Sequence, residues 1–238
     1  MSIIALSGYA GSGKDLVGQY IQLFNCPPDI LKATKVDKLS PVDDWWLEER
    51  SGYQIKKFAG KLKEIASMLT GIPKYKLEDQ EFKKTYLGPE WNTWKTNNGQ
   101  APKEGDAGIA HMMTVREFLQ KLGTDGLRDG LHTNVWINAM FADYECTHAD
   151  QAPNGVDCSN WIITDCRFPN EAKAIKDRGG IIIRVNRPGI TAVNAHPSET
   201  SLDDWDFDEV INNNGSKEQL FQKVCSIIEK TTTCLQQD

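Results

Sequence analysis

A seven-residue segment near the start of the sequence constrains the fold more than any other feature. Residues 8–14 read Gly-Tyr-Ala-Gly-Ser-Gly-Lys and match the pattern G-x-x-x-x-G-K. An apolar run, residues 2–7, precedes the segment, and apolar residues at helical spacing follow Lys14. This order predicts a buried strand, a glycine-rich loop and an amphipathic helix, which is the setting in which such a loop binds phosphate.

Each part of the loop has a physical reason. Glycines allow successive backbone N–H groups to turn inward and form an anion cradle, and the following helix adds its positive end. Lys14 can reach the outer phosphates of a nucleoside triphosphate. The residue after the lysine, where Ser or Thr usually contacts Mg²⁺, is Asp15. Because a carboxylate also binds Mg²⁺, Asp15 either serves the metal or caps the helix.

The rest of the chain alternates strand and helix patterns. Further strands are predicted at residues 54–59, 161–164, 181–185 and 209–211. Helices are predicted after Lys14, over residues 62–69 and 134–144, from Pro169, and from the capping boxes at residues 114–117 and 216–219. Such alternation predicts an α/β fold with five parallel strands flanked by helices. Residues 86–111 and 187–206 interrupt it and are predicted to be long loops, a small insertion or lids.

Composition excludes several classes of protein. The chain has 238 residues, enough for one α/β domain with insertions or two small domains, and a net charge of −6 argues against binding polymeric nucleic acid. The absence of a leader and of an apolar run of about 18 residues argues against secretion and membrane spanning. Six cysteines form no Cys-x-x-Cys pair, and a metal site at Cys146, His148 and Cys158 is disfavoured by its spacing.

Charged residues follow the third predicted strand. Asp165 ends this strand, where a second acid beside a phosphate loop helps to hold Mg²⁺. Arg167 falls just beyond the strand end and suits a phosphate, although an ion pair with a neighbour such as Glu171 explains it equally well.

The helix predicted from Thr114 carries a polar stripe. Arg116, Gln120 and Gly123 follow i, i+4, i+7 spacing, which fits either a binding surface or a solvated face. Lys61 and Lys63 are equally open to both interpretations.

These features together resemble the deoxynucleoside monophosphate kinases of tailed bacteriophages, members of the nucleoside monophosphate kinase group of P-loop proteins. The most specific match is residues 116–125, Arg-Glu-Phe-Leu-Gln-Lys-Leu-Gly-Thr-Asp, and the Ser-Gly-Lys-Asp loop is also similar. Further similar positions are Trp136 and residues 165–167, 187–189, 196–199 and 211–216. The likeness covers most of the chain and is weakest at residues 32–53 and 86–111.

The resemblance implies a single P-loop NTPase domain over residues 1–238, with an acceptor-binding insertion at about 54–158 and a lid at about 187–206. ATP would be the co-substrate, with Mg²⁺. The ATP phosphates would be bound by Gly11, Ser12, Gly13, Lys14, Asp15 and Leu16. Asn213 and Asn214 would lie near the adenine, and Asp15 and Asp165 near Mg²⁺. The acceptor would be surrounded by Phe58, Lys63, Arg116, Gln120, Gly123, Thr124, Trp136 and Arg167. The catalytic residues would be Lys14, Arg167 and Arg187, with Arg187 at the lid.

The predicted reaction is in-line transfer of the γ-phosphoryl group of ATP to a deoxynucleoside monophosphate, in the cytoplasm (of the host, for a phage-encoded protein). Homodimerisation is a base-rate expectation. The sequence leaves three alternatives open. The first is a kinase of another phosphorylated acceptor, such as dephospho-coenzyme A or phosphomevalonate. The second is a switch or motor ATPase, which Cys166 disfavours because a second acid often stands there. The third is a non-catalytic nucleotide-binding module.

Overall fold

The computed structural model describes residues 2–39, 44–95, 109–142, 144, 160–190 and 200–234. The chain divides into two compact units. The first unit consists of Met1–Phe58 and Met140–Asp238, and the second unit is Ala59–Ala139.

Strands and helices are mixed along the described part of the chain. The strands are β1 (Ile3–Ser7), β2 (Tyr53–Lys56), β3 (Thr93–Lys95), β4 (Ile109–His111), β5 (Asn160–Ile163), β6 (Ile181–Asn186) and β7 (Glu209–Asn212). The helices are α1 (Lys14–Phe24), α2 (Pro28–Ala33), α3 (Asp44–Ser51), α4 (Phe58–Thr70), α5 (Lys74–Glu78), α6 (Val115–Gln120), α7 (Val135–Phe141), α8 (Pro169–Lys176) and α9 (Lys217–Cys234). A π-helix, Lys121–Asp129, continues α6.

The first unit is built on a five-stranded parallel sheet in the order β2-β5-β1-β6-β7. The central strand, β1, pairs with β5 through Ile4↔Ile162 and with β6 through Ile4↔Ile181. Every residue of β1 is buried, because helices cover both faces of such a sheet. The predicted α/β fold with five parallel strands is therefore confirmed.

Helices pack on this sheet as their apolar spacing requires. On α1, Val17, Tyr20 and Ile21 are fully buried in the main core, and α1 packs against α3 and α9. Helix α8 packs against β1 and β6. It begins at Pro169, and the chain turns after it through Gly179, whose φ is +72°, as predicted.

Several predicted boundaries are wrong. The second strand ends at Lys56 and not at residue 59, because Phe58 already begins α4. The helix predicted over residues 134–144 is limited to Val135–Phe141. Helices α2 and α3 were not predicted at all, although Leu47 of α3 is fully buried in the core.

The second unit surrounds a smaller apolar core. This core consists of Ala66, Leu77, Met113, Val115, Phe118 and Leu119. The long loop predicted over residues 86–111 contains two short strands in its described part, β3 and β4, which pair antiparallel. Thr114 caps α6 by accepting the N–H of Glu117 at 3.2 Å. The Glu117 carboxylate contacts His111 and Lys121 instead of completing the predicted capping box.

The second predicted capping box is complete. Ser216 Oγ accepts the N–H of Gln219 at 3.3 Å, and Gln219 Oε1 accepts the N–H of Ser216 at 2.9 Å at the start of α9. Among the residues that the structure describes, no helix is long and apolar enough to cross a membrane.

Candidate active site

The glycine-rich loop joins β1 to α1, as its sequence requires, and a turn after β7 braces it. Gly13 has φ +102°, and a Cβ atom there would lie 2.7 Å from Nδ2 of Asn213. That amide donates to the carbonyl of Ser12 at 2.9 Å, while the Asn213 N–H donates to the carbonyl of Asn186 at 2.7 Å. Glycine at position 13 therefore allows both the left-handed backbone and the close approach of Asn213.

Two cationic side chains reach the loop. The Lys14 ammonium donates to the carbonyls of Gly8 at 2.6 Å and Tyr9 at 2.8 Å. Arg187, which follows β6, donates from Nη1 to the carbonyl of Gly11 at 3.3 Å. The structure thus brings Lys14 and Arg187 to the same loop.

The Ser12 hydroxyl offers a test of whether the loop suits a phosphate. Ser12 is 1% exposed, and its Oγ has no hydrogen-bond partner among the described residues. Buried hydroxyls are normally hydrogen-bonded. An unpaired donor in a glycine-rich loop at a helix start, with a lysine and an arginine beside it, suits an anionic oxygen.

Asp15 makes two polar contacts inside the first unit. Its Oδ1 accepts from the Thr164 hydroxyl at 2.9 Å and pairs with the Lys57 ammonium at 2.9 Å. Partial desolvation raises the pKa of this carboxyl. The charge and hydrogen bond of Lys57, the hydrogen bond from Thr164 and the charge of Lys14 lower it by more, so the pKa is below its ordinary value. The cap residue of α1 is Gly13, without a side-chain hydrogen bond, so the capping role left open for Asp15 is not seen.

Asp165 and Arg167 lie just after β5. Asp165 Oδ1 accepts the N–H of Phe58 at 2.8 Å, and the N–H of Arg167 donates to Glu171 at 2.8 Å. Because the Thr164 hydroxyl binds Asp15, both predicted metal-binding carboxylates are anchored at the carboxyl end of the sheet. Two carboxylates fit Mg²⁺, which often takes its other ligands from water and substrate phosphates.

No cluster of three or more potential metal ligands occurs in the described part of the chain. The metal site disfavoured above, at Cys146, His148 and Cys158, lies outside the described residues, as do residues 191–199 of the predicted lid. Between Asp165 and Arg167, Cys166 is buried. Burial is the main cause that raises the pKa of this thiol well above its ordinary value, and the negative charges of Glu171 and Asp165 raise it further. The Cys166 side chain is therefore uncharged and packs in the interior.

Predicted acceptor residues of the second unit fall into two environments. Arg116, Gln120 and Thr124 are exposed, and Arg116 donates to the side chain of Gln80 at 3.2 Å. Gly123 is buried, and its carbonyl accepts the indole N–H of buried Trp136 at 2.9 Å. The polar stripe predicted through Gly123 is therefore wrong at that residue, because the chain changes from α- to π-helical geometry after Gln120 and the i, i+7 spacing no longer holds.

Three other predicted site residues are engaged in local contacts. Lys63 is 8% exposed, and its ammonium is 2.5 Å from Oε2 of Glu78 in the second unit. Phe58 is buried, with its ring edge-on to that of Phe141 at 6.4 Å. Leu16 packs against the main core. Any ligand role of Leu16 therefore falls to its backbone.

On the predicted adenine side, Asn214 is exposed, and its side-chain oxygen accepts from Lys223 at 2.6 Å. The sequence interpretation missed two cations of the first unit. Lys57 follows β2 and pairs with Asp15, and Arg184 is buried in β6 beside the loop. An arginine inside the apolar run of residues 181–185 was the available signal for the second.

Comparison with known proteins places the chain in a family. The family model described as deoxynucleotide monophosphate kinase matches residues 64–224, more than half of the chain. A protein of Acanthamoeba polyphaga mimivirus, provisionally named a deoxynucleotide monophosphate kinase, is 28% identical over 240 residues, which is 98% of each chain. The deoxynucleotide monophosphate kinase of Enterobacteria phage T4 is 34% identical over 116 residues, 49% of this chain and 46% of its own. That of Escherichia phage RB69 is 28% identical over 129 residues, 54% of this chain and 50% of its own. The loop, its two cations and these similarities lead to one conclusion: the chain belongs to the deoxynucleotide monophosphate kinase family.

Proposed function

We propose that this protein transfers the γ-phosphoryl group of ATP to a deoxynucleoside monophosphate, giving the deoxynucleoside diphosphate and ADP. The observation that supports the proposal most strongly is the convergence of Lys14 and Arg187 on a glycine-rich loop in a chain of this family. Both cations would neutralise the negative charge that develops as a phosphoryl group leaves ADP.

The acceptor needs no strong general base. A nucleoside monophosphate already carries most of its second negative charge near pH 7, so its oxygen attacks the γ-phosphorus directly. Catalysis then consists of positioning and of charge stabilisation by this chain's own cations. The loop N–H groups, Ser12 and Lys14 would hold the triphosphate, and Arg187 would contact the transferring group.

Asp15 and Asp165 would hold Mg²⁺, which neutralises phosphate charge when bound. In the second unit, exposed Arg116, Gln120 and Thr124 would bind the acceptor. Trp136 and Gly123, joined by their hydrogen bond, would support that surface rather than present polar groups to the ligand. Lys63 would contribute a charge already balanced by Glu78.

A substrate panel tests the proposal. Each common nucleoside and deoxynucleoside monophosphate is incubated with ATP and Mg²⁺, and the diphosphate product is quantified by chromatography. Dephospho-coenzyme A, phosphomevalonate and water alone complete the panel. We expect acceptor-dependent ADP formation with at least one deoxynucleoside monophosphate. Turnover only with another acceptor, or ATP hydrolysis that ignores every acceptor, would contradict the proposal.

A further inference from the structure

Arg184 is an arginine in the buried interior of the sheet. It is 7% exposed and lies on β6, where it forms the register pair Ser7↔Arg184 with the last residue of β1. The glycine-rich loop begins at the residue that follows β1. Because an unpaired buried charge is costly, the partners of this guanidinium must account for its place.

All three guanidinium nitrogens contact side-chain oxygens of neighbouring residues. Its Nη2 pairs with Oδ1 of Asp203 at 2.7 Å, and its Nη1 donates to Ser7 Oγ at 3.3 Å. Its Nε lies 3.4 Å from Oδ1 of Asn186. It also lies over the ring of Tyr9 at 4.9 Å and that of Phe207 at 5.4 Å. A planar fork with five donors can make these contacts at once, whereas a lysine ammonium cannot.

Asp203 connects this guanidinium to the loop itself. While its Oδ1 accepts from Arg184, its Oδ2 accepts from the Tyr9 hydroxyl at 2.9 Å. The hydrogen bond to Asp203 is the main cause that raises the pKa of Tyr9, so the phenol stays protonated and remains the donor. Asp203, which follows the loop by nearly 200 residues in sequence, is thereby joined to the first turn of the loop.

The residues held in this way flank Gly8. Gly8 has φ +147°, and a Cβ atom there would lie 2.3 Å from the carbonyl oxygen of Val185, the neighbour of Arg184 on β6. The carbonyls of Gly8 and Tyr9 are the two that accept from the Lys14 ammonium. The position of Lys14 therefore depends on a turn that Arg184 and Asp203 fix from outside.

We propose that Arg184 is a positioning residue for the triphosphate site, acting through Ser7, Tyr9 and Asp203 on the first turn of the loop. It touches no reacting atom and holds the carbonyls that orient Lys14. This inference rests on the proposed function in one respect, which is that ATP is the ligand of the loop.

Affinity for ATP, measured by calorimetry without any acceptor, tests the inference. The variants are Arg184→Lys, Tyr9→Phe and Asp203→Asn. The matched control is Arg178→Lys, which changes another arginine of the first unit. Arg178 precedes the first residue of β6, and its guanidinium lies over the ring of Phe141. We expect Arg184→Lys to weaken ATP binding by about tenfold, the loss of one charge-assisted hydrogen bond, and the control to bind like the wild type.

The two milder variants keep the test independent of folding. Tyr9→Phe removes one hydroxyl, and we expect ATP binding to weaken several-fold with an unchanged unfolding midpoint. Because Tyr9 and Asp203 share one hydrogen bond, the effects of Tyr9→Phe and Asp203→Asn should be less than additive in the double variant. In steady state, the KM for ATP should rise while the KM for the acceptor stays constant.

The positioning role and the proposed function fail under different outcomes. If the wild type and all the variants bind ATP equally, or if only their unfolding midpoints differ, Arg184 is merely structural and the inference is overturned. If the wild type binds ATP and the Arg184 variant binds it weakly, but no monophosphate is phosphorylated, the inference stands and the proposed function falls. A wild type that does not bind ATP overturns both.

Discussion

At the residue scale, Asp15 is where this chain departs from the usual phosphate loop, and its surroundings favour the ionised form of its carboxyl group. Lys57, Thr164 and Lys14 lower its pKa despite partial desolvation, so it is ionised at neutral pH. Asp15→Asn keeps the acceptor for Thr164 but removes the charge. If Asp15 serves the metal, the Mg²⁺ concentration for half-maximal activity should rise by about tenfold, one lost charge-assisted interaction.

The control for Asp15 is Asp177→Asn, which changes a carboxylate paired with Lys173 on the surface of the first unit. Its Mg²⁺ dependence should match the wild type. An Asp15→Asn enzyme with unaltered Mg²⁺ dependence would assign the carboxylate to Lys57 and Thr164 alone.

A second prediction at this scale concerns Lys14, the lysine of the phosphate loop. Its ammonium donates to two loop carbonyls, and we expect it to stabilise the negative charge of the phosphoryl group during transfer. Lys14→Ala should lower kcat by at least about a hundredfold, the typical effect of removing a group that stabilises transition-state charge. Coupled ADP release measures the rate, and Lys173→Ala, at an exposed ion pair, is the control. An undiminished rate in Lys14→Ala would remove this loop from the catalytic site.

At the element scale, the start of α1 depends on a glycine for two reasons that can be separated. Gly13 has φ +102° and lies close to Asn213, whereas Gly71, after α4, has φ +70° and nothing within 4 Å of the place that a Cβ atom would take. Alanine at either position incurs backbone strain of about 1–2 kcal/mol. Only Gly13→Ala also displaces the Asn213 amide from the Ser12 carbonyl.

Gly13→Ala should therefore destabilise the protein more than Gly71→Ala and should weaken ATP binding by at least about tenfold, a single displaced hydrogen-bonded contact. Gly71→Ala should bind ATP normally. Urea unfolding and calorimetry measure the two quantities. Equal ATP affinity in both variants would show that the close approach of Asn213 does not shape the phosphate site.

The contact between α4 and α5 gives a pH-dependent prediction. Lys74 of α5 donates to Glu64 of α4 at 2.9 Å. This hydrogen bond, opposed by partial desolvation and helped by Lys61, lowers the pKa of Glu64. A lowered folded-state pKa means stability that is present above the unfolded value of about 4.3 and is lost as the pH falls through the folded value.

Glu64→Gln should therefore reduce the free energy of unfolding at pH 7 by less than about 1 kcal/mol, because the pair is exposed. The gap between variant and wild type should narrow only below about pH 5, where the unfolded-state carboxyl begins to bind its proton. Urea unfolding at low ionic strength from pH 7 to pH 4 measures it. A gap that widens towards pH 4 would reverse the assigned sign.

How much of the fold and the site could be read from the sequence depends on whether the signal was local. The five sheet strands, the phosphate loop and the cap at Ser216 carry local patterns, and all are present in the structure. The change from α- to π-helix after Gln120 has no signal in the spacing of apolar residues. The pairing of Lys57 with Asp15 joins residues that are far apart in sequence. Arg184 stood in an apolar run, but its partner Asp203 lies outside any local window.

At the scale of the whole molecule, the two units carry different predicted ligands. The first unit holds the phosphate loop, Arg187 and Asn213, and the second holds Arg116, Gln120 and Thr124. The fold class followed from sequence alone because alternating strands and helices leave few arrangements of a parallel sheet. The acceptor is assigned to the second unit because residues 116–125 resemble the family most specifically.

Hydrogen exchange under native conditions tests that division of labour directly. A ligand that binds the folded protein lowers the population of local openings at its site, so amides there exchange more slowly. ATP with Mg²⁺ should protect peptides covering residues 8–18 and 212–216. A deoxynucleoside monophosphate, added alone, should protect peptides covering residues 116–128 and leave the phosphate loop unchanged. Lys14→Ala should lose much of the first protection and keep the second, because its acceptor residues are intact. If the monophosphate instead protects only the loop peptides, the acceptor binds the first unit and the assignment of Arg116, Gln120 and Thr124 is wrong.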